Sequence, residues 1–241
     1  MEDFEKKFNC VHKRIKELNK NIEVKENYFP IPFKTIAGKK YDSAKIKIAY
    51  IGLETKGWEG CINFLNQKES FTENLGGFWD LVLALHLKIK KIELGVHEVL
   101  DSKFEMLNDF VWGNLNVLEN TSAILKRNKT INKALIKEYI KIKTKSEPLN
   151  KLKFLLEKFQ PEFIFILSWQ KDDGEYFEGV DYYSSINKND DEMIYTYIVN
   201  HKNKEVKVIW TCHPSFARRK GYSVEEFAEK LYQEYLVLNK Q

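Results

Sequence analysis

The sequence predicts an α/β fold in which a mainly parallel sheet lies between two layers of helices. Four short apolar segments, rich in β-branched and aromatic residues, have the composition of buried strands. They are Lys45–Leu53, Phe110–Leu115, Phe163–Trp169 and Val206–Cys212. Helical patterns separate them, and strands that alternate with helices are joined by crossovers, which give parallel pairing. We therefore expect a three-layer α/β/α domain with a central four-stranded parallel sheet, spanning residues 1–241.

Four helices are predicted because apolar residues recur at three- and four-residue steps, which places them on one face. The last helix opens with Ser223, and Glu226 stands three residues later. This spacing matches a capping box, in which the glutamate side chain reaches back to the amide of the cap residue. The four helices are Glu2–Lys20, Trp79–Lys90, Leu149–Phe159 and Ser223–Leu238.

Two segments fall outside the alternation of strands and helices. The N-terminal region, residues 1–44, continues after its helix into Asn27–Phe33, where two prolines among aromatic residues predict an extended, ordered loop. Residues 172–204 are polar and rich in tyrosine. We interpret them as a long insertion, which is either a functional lid or a tolerated loop.

Composition indicates a globular, water-soluble protein, with 43% hydrophobic and 31% charged residues. The N-terminus lacks the apolar core of a signal peptide and no apolar run is long enough for a bilayer, so we expect a cytoplasmic protein without membrane contact. The three cysteines, Cys10, Cys61 and Cys212, are scattered, which predicts free thiols and no structural metal. We also expect no cofactor. We expect a monomer.

The net charge of +4, with 39 Lys and Arg, permits a partner that carries phosphate without requiring one. Enrichment in lysine equally fits the base composition of a genome. Charge therefore leaves the class of partner open.

Ligands of parallel sheets collect at the carboxyl ends of the strands, so the residues that follow each strand are candidates for a site. Glu54 follows the first strand and suits a general base, although an isolated glutamate equally caps a helix or pairs with a lysine. Asn114 ends the second strand, where its amide can both donate to and accept from a base edge or can stabilise a turn. Trp169 ends the third strand, and we assign it to packing.

The most specific segment follows the fourth strand. His213 stands at the strand end, Pro214 stiffens the turn and Ser215 can donate to phosphate. Three cations and a glycine come next, as Arg218, Arg219, Lys220 and Gly221. A lone histidine is usually structural, but this combination indicates a loop that faces phosphate.

The order of these segments resembles the uracil-DNA glycosylase superfamily. Its first motif, G-Q-D-P-Y, is similar to Gly52–Lys56, and its last, H-P-S-P-L-S followed by R-G, is similar to the segment from His213 to Gly221. The strand ending L-L-L-N is similar to Val111–Asn114, and the strand V-F-L-L-W-G is similar to Ile164–Trp169. The four landmarks span about residues 46 to 222.

The resemblance implies hydrolysis of the N-glycosidic bond of a base that is flipped out of DNA, as in base excision repair. It implies that Glu54 orients water and stabilises the cationic sugar, while His213 hydrogen-bonds the departing base. It places the base among Gly52, Leu53, Lys56, Trp58, Phe78 and Asn114, with Phe71, Phe78 or Trp58 stacked on its face. Contacts with DNA fall to Ser215, Phe216, Arg218, Arg219 and Lys220, with Phe216 or Arg218 filling the gap.

Three positions depart from the family pattern and make uracil only one of the expected substrates. Glu54 replaces aspartate, Lys56 replaces the tyrosine that blocks bulky bases, and Ala217 replaces the wedge leucine. A wider pocket for a modified or damaged base would fit these changes. Three alternatives stay open: a nucleic-acid-binding module that has lost catalysis, a hydrolase of free nucleosides or nucleotides, and an α/β protein whose motifs are coincidental.

Overall fold

The computed structural model describes most of the chain, in segments that include the four predicted strands except for Trp169. The described residues are 2–22, 29–53, 77–96, 108–127, 129–146, 149, 151–168, 173–189 and 194–240. The predicted site residues Glu54, Lys56 and Trp58 lie outside them, as do Phe71 and Trp169.

The described residues contain one sheet of seven strands. In chain order the strands are β1 (Ile36–Ala37), β2 (Ile48–Gly52), β3 (Phe110–Asn114), β4 (Phe163–Leu167), β5 (Tyr182–Asn189), β6 (Ile194–His201) and β7 (Lys204–Thr211). Their order across the sheet is β1-β3-β2-β4-β7-β6-β5. The four predicted strands are β2, β3, β4 and β7, and each observed strand lies within three residues of its predicted bounds.

These four strands are neighbours and run parallel to one another, in the order β3-β2-β4-β7. The predicted α/β class is therefore confirmed, but the prediction of a sheet with only four parallel strands is wrong. Strand β1 adds to one edge by antiparallel pairing with β3, and β6 and β5 add to the other edge by antiparallel pairing with β7. These three antiparallel edge strands make the sheet mixed, and antiparallel neighbours such as β6 and β7 need no crossover.

Much of the predicted insertion belongs to the sheet, so its interpretation as a lid or loop is wrong for the described part. Residues 182–189 and 194–201 form the hairpin β5–β6. On β6 the side chains of Tyr197 and Val199 are buried, and the alternation of buried and half-buried residues is that of a strand with one face in the core. The tyrosine-rich composition of residues 172–204 favours strands, but the polar residues between the tyrosines are typical of a loop.

Eight α-helices, one of them a single turn, complete the described fold, and the first matches its predicted bounds. They are α1 (Glu2–Lys20), α2 (Gly77–Ile89), α3 (Thr121–Arg127), α4 (Lys133–Ser146), α5 (Leu152–Phe159), α7 (Pro214–Arg219) and α8 (Val224–Asn239), with a one-turn helix, α6 (Asp173–Tyr176), before β5. The capping box of α8 is confirmed, since the Ser223 hydroxyl accepts from the Glu226 amide at 3.1 Å and the Glu226 carboxylate accepts from the Ser223 amide at 2.8 Å.

Helices cover both faces of the sheet, because alternate residues of each central strand are buried on opposite sides. On one face, Tyr50, Trp112 and Phe165 pack against α2 and α8. On the other, residues such as Ile51 and Ile166 pack against α5. The face with α2 and α8 is called the α2/α8 face below.

A third hydrophobic cluster joins α1, α3 and α4. Ile15 of α1 and Tyr139 of α4 are fully buried there, and the Phe29 ring stacks on Tyr139 with centroids 4.7 Å apart. Within the predicted loop Asn27–Phe33, the described residues Phe29 and Phe33 are both buried. No helix in the described segments is both long enough and apolar enough to cross a membrane.

Candidate functional site at the carboxyl edge of the sheet

The candidate site lies along the carboxyl edge of the parallel strands. Gly52 of β2 and Asn114 of β3 are register partners at this edge, and Leu167 of β4 pairs with Thr211 of β7. Because side chains alternate between the faces of a strand, Asn114 and Thr211 share the α2/α8 face with Tyr50 and Trp112. Strands β3 and β7 are three strand spacings apart, roughly 14 Å, and the candidate site spans this distance.

Three predicted base-binding residues meet at one point of this edge. A Cβ atom at Gly52 would lie 2.6 Å from the Asn114 Oδ1 atom and 3.1 Å from the Phe78 ring. The amide of Asn114 and the ring of Phe78 therefore converge over Gly52. Glycine is needed here because any larger residue would occupy the space that the two side chains share.

Phe78 takes this position because it lies in the first turn of α2. It is half-buried, and its ring meets the buried Trp79 edge-to-face at 5.3 Å. Asn114 is half-buried as well. Both side chains therefore lie between the core and the surface, where a ligand can reach a ring face and an amide.

Leu53, by contrast, contributes little more than its backbone to this edge. Its side chain packs against the cluster on the opposite face of the sheet. Its carbonyl accepts a hydrogen bond from the Asn116 amide at 2.8 Å, and the Gly52 carbonyl accepts from the Leu115 amide at 2.8 Å. These two hydrogen bonds hold the segments that follow β2 and β3 next to each other.

The first turn of α2 also contacts the segment that follows β7. A Cβ atom at Gly77 would lie 3.5 Å from Pro214 and 3.6 Å from the Arg218 guanidinium carbon. The Arg218 guanidinium donates to the Asp80 carboxylate at 3.0 Å. Through α2, the point where Asn114 and Phe78 meet is thus connected to the loop of His213.

His213 precedes α7 as its capping residue, and Pro214 occupies the first helical position. The His213 Nδ1 atom accepts from the Ser215 amide at 3.2 Å and lies 2.8 Å from the Ser215 hydroxyl. An atom that accepts from an amide carries no proton, so the ring proton of the neutral imidazole resides on Nε2. The local fold therefore selects the tautomer in which Nε2 is a hydrogen-bond donor.

The cations of this segment are already engaged within the protein. Arg219 and Lys220 lie over the half-buried ring of Phe216, at 5.4 and 5.7 Å from its centroid. Arg218 is held by Asp80, and Gly221 ends the segment with a φ of 91°, which glycine adopts without strain. Phe216 or Arg218 would have to leave these contacts in order to fill a gap in DNA.

Two buried hydroxyl groups at the edge were not anticipated from the sequence. Ser168 and Thr211 are 2% and 1% exposed, and within the described part of the chain neither hydroxyl oxygen has a hydrogen-bond partner. Buried polar groups are normally paired, so these two hydroxyls are unusual features of this edge. Their position near the ends of two predicted strands was the only available signal.

The thiol of Cys212, next to His213, is in surroundings that disfavour its thiolate form. It is 3% exposed, and burial raises its pKa above the ordinary value. Nucleophilic attack needs the thiolate, which is scarce when the pKa is raised. Where the structure describes the chain, no group of three or more His, Cys, Asp and Glu side chains is arranged to hold a metal ion.

Comparison of the chain with models of protein families, with curated proteins and with solved structures gave no match in any of the three searches. The resemblance to uracil-DNA glycosylases therefore depends on the sequence motifs alone, and it stays a prediction. The geometry around Asn114 is independent of it.

Proposed function

We propose that the protein is a DNA glycosylase, which hydrolyses the N-glycosidic bond of a flipped-out uracil or of a modified or damaged base. The observation that carries the proposal is the convergence of the Asn114 amide and the Phe78 ring over Gly52, on the sheet edge that leads to His213. A flipped base needs hydrogen bonds to its edge and an aromatic or apolar surface against its face. In the proposed site, Asn114 supplies the hydrogen bonds and Phe78 supplies the aromatic surface.

The amide of Asn114 favours one class of base. A primary amide presents an oxygen acceptor beside two N–H donors, so it can form two bonds with a base edge on which a carbonyl adjoins an N–H. Uracil and its modified forms have such an edge. Phe78, in the first turn of α2, offers a ring against the face of the same base.

In the proposed reaction a water oxygen forms a bond to the anomeric carbon of the sugar as the bond to the base nitrogen breaks. Glu54 orients the water and stabilises the positive charge on the sugar. The electron pair of the broken bond leaves with the base, where the Nε2–H of His213 donates to the oxygen on which negative charge develops. The proton of the attacking water passes to the carboxylate or the base.

Nucleic acid would approach the same edge through the segment from Ser215 to Lys220. The Ser215 hydroxyl is hydrogen-bonded to the His213 ring, so a phosphate contact at Ser215 would be coupled to the position of the imidazole. Arg219 and Lys220 are exposed. Cations of this kind position a nucleic acid through its phosphates without reading its sequence.

The proposal is tested by incubating the protein with duplex and single-stranded oligonucleotides that carry uracil or other altered bases, followed by cleavage at abasic sites with alkali. We expect release of at least one base. His213→Ala should lower the rate by about 10²- to 10³-fold, as for loss of a donor to a developing negative charge. Asn114→Ala, which removes both hydrogen bonds to the base edge, should lower the rate as well. His12→Ala on α1 is the matched control and should leave the rate unchanged.

The other outcomes separate the alternatives. Binding to DNA without release of any base would replace the enzyme by a binding module. Release from free nucleosides or nucleotides, but not from DNA, would replace it by a small-molecule hydrolase. A rate that Glu54→Gln leaves unchanged would contradict the role given to that carboxylate.

A further inference from the structure

Positive charge is concentrated in one part of the chain. Residues 121–146, which comprise α3 and α4 and are called the basic hairpin here, contain eight Lys and Arg residues and a single acidic residue, Glu138. The chain has 39 basic and 35 acidic residues in all, so the remainder has 31 and 34. The hairpin therefore carries +7 and the rest of the chain −3. A general enrichment in lysine would not produce this uneven distribution of charge along the chain.

Four of these lysines form a stripe along α4. They recur at every fourth position, and with a rise of 1.5 Å per residue they are about 6 Å apart and span about 18 Å. The opposite face of α4 is buried in the cluster with α1. The stripe consists of the exposed residues Lys133, Lys137, Lys141 and Lys145.

Little within the described protein offsets the charge of this stripe. Among the described carboxylates, only that of Glu138 forms a salt bridge with the stripe, at 2.6 Å from the Lys141 ammonium nitrogen. Both side chains are largely exposed, and such surface pairs contribute about 1 kcal/mol or less, so an anion can readily displace the pair. Like charges four residues apart also destabilise a helix slightly. The stripe therefore lowers the stability of α4 unless an anionic partner binds.

We infer that the basic hairpin binds the phosphate backbone of duplex nucleic acid. A duplex presents one negative charge per roughly 1.7 Å of its axis, so four cations spread over 18 Å meet a matching row of phosphates. Single strands are bound through stacking on exposed aromatic rings. The only aromatic residue of the hairpin is Tyr139, and it is buried.

This inference concerns affinity and not catalysis, so it does not depend on the glycosylase proposal. Phosphate contacts give binding that is independent of sequence and weakens steeply with salt. A surface of this kind would hold the protein on DNA whichever base, if any, occupies the edge near Asn114.

The test replaces all four lysines of the stripe by glutamine and measures binding to a random-sequence duplex over about 50 to 200 mM salt. Each lost phosphate contact lowers the slope of log affinity against log salt by about 0.9. We expect a slope smaller by about 2 to 4 and an affinity at least tenfold weaker at the lowest salt. The matched control removes four exposed lysines elsewhere in the chain: Lys39, Lys45, Lys91 and Lys240.

The control variant should keep both the slope and most of the affinity, and circular dichroism should show equal helix content in all three proteins. Equal losses in the two variants would overturn the inference, since net charge alone would explain them. A stripe variant with unchanged slope would overturn it as well, as would tighter binding to single strands or binding only to vesicles of anionic lipid. Loss of binding in the stripe variant of a protein that releases no base would support this inference and refute the proposed function.

Discussion

Removal of Asp109 tests a buried polar network that fastens α2 to the sheet. The Asp109 carboxylate, which is 8% exposed, accepts from His86 Nε2 at 2.8 Å and pairs with Lys90. The Tyr50 hydroxyl donates to His86 Nδ1 at 3.0 Å. This network joins β2, α2 and the start of β3, and α2 carries Phe78 at its other end.

The two partners of Asp109 respond differently to its loss. In Asp109→Ala the His86 N–H is left without an acceptor in a side chain that is 2% exposed, whereas the Lys90 side chain is 35% exposed and can turn to water. Breaking a buried charged pair costs about 3 to 5 kcal/mol, and the exposure of Lys90 puts the expected loss near 3 kcal/mol. In Asp109→Asn the amide oxygen still accepts from His86, so we expect about 1 kcal/mol.

Unfolding in urea, followed by tryptophan fluorescence and by circular dichroism, measures both losses. Asp42→Ala, which removes an exposed aspartate, is the control and should change the unfolding free energy by less than about 0.5 kcal/mol. The reasoning would be refuted by an Asp109→Ala loss below about 1 kcal/mol. Equal losses for alanine and asparagine would refute it too, because the charge and not the acceptor for His86 would then be decisive.

Three further predictions concern pH, the site and a helix cap. Burial lowers the pKa of His86 below its ordinary 6.5, so the unfolded chain binds more protons than the folded chain and the unfolding free energy falls as the pH drops below 6.5. Urea titrations between neutral and mildly acidic pH should show a shallower fall for His86→Gln. Gly52→Ala puts a Cβ atom 2.6 Å from the Asn114 oxygen, and we expect the rate of base release to fall at least about tenfold, or about 1.4 kcal/mol. Gly77→Ala, whose Cβ atom has its nearest contact at 3.5 Å, is the control and should leave that rate unchanged. Ser223→Ala should lower the unfolding free energy by about 1 kcal/mol in thermal melts; no change would show that the cap is redundant.

The parallel core was predictable because its signals are local. Each of β2, β3, β4 and the second half of β7 is an apolar run that is buried on both faces, and such runs differ from the amphipathic stripes of α1 and α8. The cap of α8 depends on two residues three positions apart. The added hairpin was missed since β5 is an exposed edge strand, with Tyr182 60% exposed, and polar edge strands resemble loops in sequence.

The sequence by itself determined which side chains stand at strand ends, among them Asn114 and His213, because a strand end follows from local composition. Only the tertiary structure decided which of them meet. The pairing of Gly52 with Asn114 is a matter of register between strands about 60 residues apart, and the approach of Phe78 depends on how α2 packs against the sheet. Likewise, Asp80 became a partner of Arg218 only through a contact between residues 138 positions apart. Such contacts arise from packing of the whole core, which no local pattern encodes.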